Sequence, residues 1–178
     1  MNRTYRIDRF ECTMPIEELL DNYFDYSCTH TRCMVCDLYG RTWSCPPLPM
    51  DPETFLRGFR TYHLIVDRID NSTAADVAEA QSWMFTEKTR FDAEMRELEK
   101  LAPPGSYGLA AQECEACRVC SRTLGKPCVH PDIMRFGPET IGIVPVRMVP
   151  AKFGFDVVWS DGTSIPPYYL LVAGVLEK

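Results

Sequence analysis

The chain has 178 residues, 46% of them hydrophobic and 25% charged, a balance that supports a folded core and excludes a disordered or collagen-like polymer. No apolar run approaches the roughly 18 residues that a membrane helix requires. A net charge of −6 with scattered Lys and Arg disfavours a surface that tracks nucleic-acid phosphates. The start, MNRTYRIDRFECTMPIEELLDN, carries charge throughout and lacks the apolar centre of a secretory signal. The expectation is a cytoplasmic protein with no nucleic-acid or membrane partner, folded as a single domain over residues 1–178.

In chain order, Asp51-Pro52-Glu53 has the form of a helix start, and Phe55, Leu56 and Phe59 share one side of a short helix to about residue 60. The apolar, β-branched run YHLIVDRI at 62–69 reads as a buried strand ended by the turn pair Asp70-Asn71. Thr73 and Asp76 have the spacing of a capping box, with Asp where Glu or Gln is usual, and a long helix is expected from there to Pro103-Pro104-Gly105. Val77, Met84, Phe91 and Leu98, with Met95, mark its apolar stripe. Glu87, Lys88, Arg90, Asp92, Glu94, Arg96, Glu97 and Lys100 mark its solvent side.

A second strand is expected over 107–111, and a helix start at His130-Pro131-Asp132. Residues 138–151 read as one or two short helices broken by Pro145 and Pro150. Asp161-Gly162 signals a turn, and YYLLVAGVL at 168–176 reads as a central strand. The sum is an α+β fold, a small mixed sheet with packed helices, carrying cysteine-rich loops at about 28–47 and 114–131.

Nine cysteines are a high load for an intracellular chain. In a reducing compartment, and with an odd count, a disulfide framework is disfavoured, so metal binding leads. Eight of them form two quartets: Cys28, Cys33, Cys36 and Cys45, then Cys114, Cys117, Cys120 and Cys128. The later quartet opens CxxCxxC, in which three closely spaced thiolates can each meet a different iron of one cubane while a more distant cysteine completes the set; that spacing favours [4Fe–4S]. Zinc, which more commonly takes two separated CxxC pairs, is the alternative. In the earlier quartet the order of preference is [4Fe–4S], zinc, then [2Fe–2S], whose plant-type pattern it matches only at its opening.

Around these ligands, Trp43 is a candidate shield, Gly40 a candidate for positive φ, and Lys126 and Arg118 candidate sources of positive charge. His30 and His130 lie near the quartets, although a loop histidine is more often solvated; His63 reads as structural, and Cys12 as a small buried side chain.

The strings Cys36-Asp37-Leu38-Tyr39-Gly40-Arg41-Thr42-Trp43-Ser44-Cys45-Pro46-Pro47 and Cys114 to Cys128, closing on Pro127-Cys128-Val129-His130-Pro131, together with the Gly142 region before the last apolar strand, resemble the DUF2284 family of predicted metal-binding proteins. The resemblance spans roughly residues 28–176. It implies iron–sulfur or other metal binding through the eight clustered cysteines and carries no established reaction.

The leading expectation is an iron–sulfur protein with two [4Fe–4S] clusters that passes electrons to or from a redox partner, since no GxGxxG or P-loop fingerprint marks a nucleotide or flavin site. A second is an enzyme whose cluster, held by Cys33, Cys36 and Cys45 with Cys28 or Cys12 free, leaves an open iron for substrate reduction or desulfuration. A third is a structural zinc-binding interaction module.

Overall fold

The computed structural model describes residues 4–178. Its elements run β1 (Ile7–Pro15), α1 (Ile16–Tyr23), α2 (Tyr26–Met34), α3 (Pro52–Leu56), β2 (Thr61–Asp70), α4 (Val77–Leu101), β3 (Tyr107–Gly108), α5 (Pro145–Phe153) and β4 (Tyr168–Glu177). Short 3₁₀ turns occupy Ser121–Leu124 and Glu139–Ile141. The strands form one sheet in the order β1-β2-β4-β3. The fold is therefore α+β as read, although every pairing is antiparallel rather than mixed in direction.

Strand alternation decides which element covers which face. On β1, Arg9 reaches Glu94 and stacks over Phe91 of α4, whereas the next residue, Phe10, packs on Phe153 of α5 and on Phe155. So α4 lies on one face and α5, with α1 beside it, on the other. Between these layers β2 is buried along most of its length, and Leu64, Ile65, Val66 and Ile69 join Phe91 and Met95 of α4, Leu19 of α1 and Met148 of α5 in the core. Tyr62 is fully buried there and donates its hydroxyl to the Ala173 carbonyl at 2.9 Å.

Gly174, in the middle of β4, is required for close approach. Its φ is +152°, and a Cβ there would stand 1.9 Å from the His63 carbonyl oxygen, so only glycine fits.

The helix expected after residue 51 and the strands expected at 62–69 and 168–176 are present, and β4 is indeed internal to the sheet. Several expectations change. The strand at 107–111 shortens to Tyr107–Gly108, after which Leu109 and Ala110 bond instead to Gly174 and Phe136. The N-cap of α4 is Asp76, which accepts from the Glu79 amide, while Glu79 reaches back to the Ala75 amide; Thr73 bonds elsewhere. His130-Pro131-Asp132 opens only a turn. Pro145 begins α5, where its missing N–H costs nothing, and Pro150 sits within the helix without ending it.

The stripe of α4 also turns. Its buried residues are Ala80, Trp83, Glu87, Lys88, Phe91 and Met95, so Glu87 and Lys88, expected in solvent, are inside. Glu87 pairs with Arg90 and accepts from the Tyr5 hydroxyl. Arg90 and Arg9 both reach the buried Asp67 of β2, fastening the helix to the sheet by charge as well as by apolar contact.

Candidate metal centre

The first quartet starts on a helix and not in a loop. Cys28 and Cys33 belong to α2, whose Asp25 cap accepts the Cys28 amide at 2.9 Å. Adjacent backbone pins that helix in place: the Asp25 amide donates to the Gly142 carbonyl at 2.8 Å, and Gly142, at φ +90°, leaves room for the Phe24 ring, which a Cβ would meet at 2.5 Å. Past α2 the chain makes successive turns, with Cys36 N donating to Cys33 O (3.0 Å) and Tyr39 N to Cys36 O (3.0 Å). Gly40, at φ +71° as the turn requires, then donates to Pro46 O (2.7 Å), which brings Cys45 back beside Cys36.

All four of these cysteines line one cavity of about 280 Å³, together with Arg32, Leu38, Gln112 and Glu139. The second quartet does the same. Cys114, Cys117, Cys120 and Cys128 line a separate cavity of about 510 Å³ with Arg41, Trp43, Arg118 and His130. The 3₁₀ turn Ser121–Leu124, closed by Gly125 at φ +64° and by the Ser121 hydroxyl donating to Pro127 O at 2.7 Å, folds the spacer so that Cys128 returns to the triplet. Among the described residues, no three His, Cys, Asp or Glu side chains gather tightly enough to hold a single metal ion.

The two cysteine segments are fastened to each other. Arg122 donates to the carbonyls of Thr42 (2.7 Å), Cys45 (2.6 Å) and Pro47 (2.7 Å), and its guanidinium lies 5.0 Å over the Trp43 ring. Trp43 donates its indole N–H to Lys126 O at 3.1 Å, and the Ser44 hydroxyl accepts the Cys114 amide at 2.9 Å. Leu38 and Glu113 line both cavities, so the sites are neighbours across these two residues. From the other side, the buried Lys88 of α4 holds the second segment through Glu113 O (2.9 Å) and Glu115 (3.0 Å), while also pairing with Asp92 (3.2 Å). Burial works against its charge, and Asp92 and Glu115 more than offset it, leaving its pKa raised.

Burial favours the protonated form of three of these thiols, Cys33, Cys45 and Cys114. Burial pushes Cys33 up from 9.0 to about 11, with the Cys45 and Cys36 charges adding to the effect. Burial also raises Cys45, although the Thr42 and Ser44 hydroxyls work the other way. Cys114 is raised by burial, and further by Cys128, Cys117 and Cys120. A metal entering either site must expel these protons.

Other residues singled out from the sequence divide. His130 reaches the second cavity, whereas His30 lines neither and lies against the rings of Tyr26 and Tyr39. His63 pairs with Glu11 across the sheet. Trp43 flanks the second cavity and not the first, whose cysteine it precedes in sequence. Cys12 is half-buried on the α5 face of β1, lines neither cavity, and is raised in pKa by burial. Arg118 lines the second cavity; Lys126 contributes its carbonyl. Sequence reading passed over Arg122, Ser44, Lys88 and Glu139. None carries a motif, and only Ser44 and Arg122, close to cysteines in the chain, gave even a positional hint.

No curated protein and no solved structure matches the chain. A family profile described as "Predicted metal-binding protein (DUF2284)" matches residues 24–176, a span that takes in α2, both quartets, both cavities and all of β4 but its last residue. By that match, and with its cysteines gathered as described, the chain belongs to the DUF2284 family of predicted metal-binding proteins.

Proposed function

We propose that the protein holds two [4Fe–4S] clusters, one in each quartet, with Cys28, Cys33, Cys36 and Cys45 as ligands of the first and Cys114, Cys117, Cys120 and Cys128 as ligands of the second, and that it transfers electrons to or from a partner redox protein. The observation that carries this reading is that each quartet lines a cavity of its own, with the CxxCxxC spacing of the second favouring a cubane over a single zinc ion.

A cubane in such a setting supplies one-electron chemistry. The residues of this chain supply the rest. Leu38 and Trp43 limit water at the cavities, the Ser44 hydroxyl fixes the Cys114 backbone, and Arg41 and Arg118 put positive charge beside the second quartet, which favours the more negative, reduced state of a cluster. The shared wall of Leu38 and Glu113 supports exchange between the two sites.

Anaerobic purification followed by iron, sulfide and zinc analysis tests the reading. About eight irons and eight sulfides per chain, with an absorption that bleaches reversibly under dithionite, are expected. Stoichiometric zinc without sulfide overturns it. Loss of one cluster's share of iron on Cys117→Ser, and of the other's on Cys36→Ser, assigns each quartet.

A further inference from the structure

The surface over the second quartet differs in charge from the rest of the chain. Residues 38–50 and 116–131, which supply one ligand of the first quartet and three of the second, hold Arg41, Arg118, Arg122 and Lys126 and no Asp or Glu. All 25 acidic residues lie elsewhere, against 15 of the 19 Lys and Arg, in a chain of net charge −6. Arg122 and Trp43 join the two stretches by hydrogen bonds, and Arg41, Trp43, Arg118 and Val119 line one cavity, so the cations gather about one site. Of the acids that flank them, Glu115 is paired with Lys88 and Asp51 caps α3, which leaves Asp37, Glu113 and Asp132 against four cations. Within residues 26–37, around the first quartet, Arg32 and Asp37 cancel.

This basic face is also apolar. Three of the nine large hydrophobic side chains left exposed among the described residues belong to it: Val119 at 63%, Leu124 at 67% and Val129 at 60%. Val119 and Val129 each adjoin a ligand cysteine in the chain. Next to the cavity of the second quartet, and sharing Trp43, Cys128 and Met134 with it, is a groove of about 240 Å³ completed by Pro49, Pro127 and Phe136, with no charged side chain in its lining. Capture of a small anion would need the cations alone. Exposed aliphatic side chains beside an apolar groove, with charge around them, have the make-up of a protein interface. An acidic protein is repelled at long range by a chain of −6, so holding one takes a local patch of this kind.

We propose that this face docks an acidic one-electron carrier protein, with Arg41, Arg118 and Lys126 meeting its carboxylates and Val119, Leu124 and Val129 excluding water around the second quartet. The proposal rests on the cluster reading above and gives its redox partner a charge and a place to bind.

The test is calorimetric titration of oxidised flavodoxin, an acidic one-electron carrier, into the full chain purified anaerobically and left oxidised. Wild type is expected to bind with a Kd below about 100 μM at low salt, and about tenfold more weakly at about 0.3 M salt. Lys126 and Leu124 line neither quartet's cavity. Lys126→Glu should weaken binding roughly three- to tenfold, and Leu124→Ser roughly two- to fivefold. Arg6→Glu, the same charge reversal beside the opposite edge strand β1, should leave it within about twofold of wild type. Thermal melting reports that each variant is folded. The titration needs no electron to pass, and sulfide analysis of the same sample reports on the clusters, so failure of the surface and failure of the cluster reading are told apart. No binding by wild type, binding indifferent to salt, or equal weakening by Lys126→Glu and Arg6→Glu overturns the proposal. Tighter binding of a single-stranded oligonucleotide, or a dimer in sedimentation that Lys126→Glu dissociates, also overturns it, because the face would then serve another occupant.

Discussion

Removing Arg122 tests whether the two cysteine segments form one fastened unit. Its guanidinium makes three hydrogen bonds of 2.6–2.7 Å to carbonyls of the opposite segment and stacks on Trp43. Bonds from a charged donor are worth about 1.5–3 kcal/mol each when their loss leaves groups buried and unpaired. Arg122 is half-buried, so the freed carbonyls of Thr42, Cys45 and Pro47 regain water in part, and the stacking adds only about 0.5–1 kcal/mol. Arg122→Ala should therefore cost about 2–3 kcal/mol. With a urea slope of about 1–3 kcal/mol per molar, the unfolding midpoint should fall by about 1 M. Arg122→Lys keeps the charge but not the fork that serves three acceptors, and should lose about half as much. The assay is urea unfolding of wild type and both variants at matched metal content. A midpoint for Arg122→Ala within about 0.2 M of wild type would refute the fastening, as would a Lys variant no better than Ala.

Two further outcomes are expected. Lys88→Met keeps the volume of a buried side chain but removes the cation shared by Asp92, Glu115 and the Glu113 carbonyl. It should cost about 2–4 kcal/mol, less than a fully buried pair because Glu115 is open to water, and amide hydrogen exchange should quicken around residues 111–117 with α4 itself little changed. Tyr107 reports on alkaline stability. Burial raises its phenol from 10.0 to about 12, while Arg135 and the Phe136 amide work the other way. The folded state thus holds the proton more tightly than the unfolded chain, so this contribution is complete below pH 10 and is lost as pH rises toward 12. Across that window the stability of wild type should fall by roughly 2 kcal/mol more than that of Tyr107→Phe, measured by urea unfolding at each pH; parallel slopes would rule the assignment out.

The elements that were legible from the sequence are those whose signal is local. An apolar, β-branched run marked β2 and a continuous apolar run β4, Asp51-Pro52 marked the start of α3, and the thiol spacing divided the cysteines into four, four and one. Gly40 took the positive φ that its turn asked for. Glu87 and Lys88 were misjudged because helix periodicity assigns charged residues to water, and nothing local announces that Glu113 and Glu115, some 25 residues on, arrive to pair with Lys88. Cys28 and Cys33 were read as loop residues because cysteine and threonine are poor helix formers, while the Asp25 cap and the packing around Gly142 hold α2 regardless.

By itself, then, the sequence determined the donor chemistry: eight thiols in two quartets, within a chain apolar enough to fold around them. Ligand spacing is a property of a few covalently linked residues, so it survives without knowledge of the fold. Tertiary structure alone decided that Cys45 and Cys114 lie on segments joined through Ser44, and that Arg122 clasps carbonyls some 75 to 80 positions away. Those relations depend on the antiparallel sheet and on α4 and α5 covering its two faces, which bring together residues that no pattern along the chain connects.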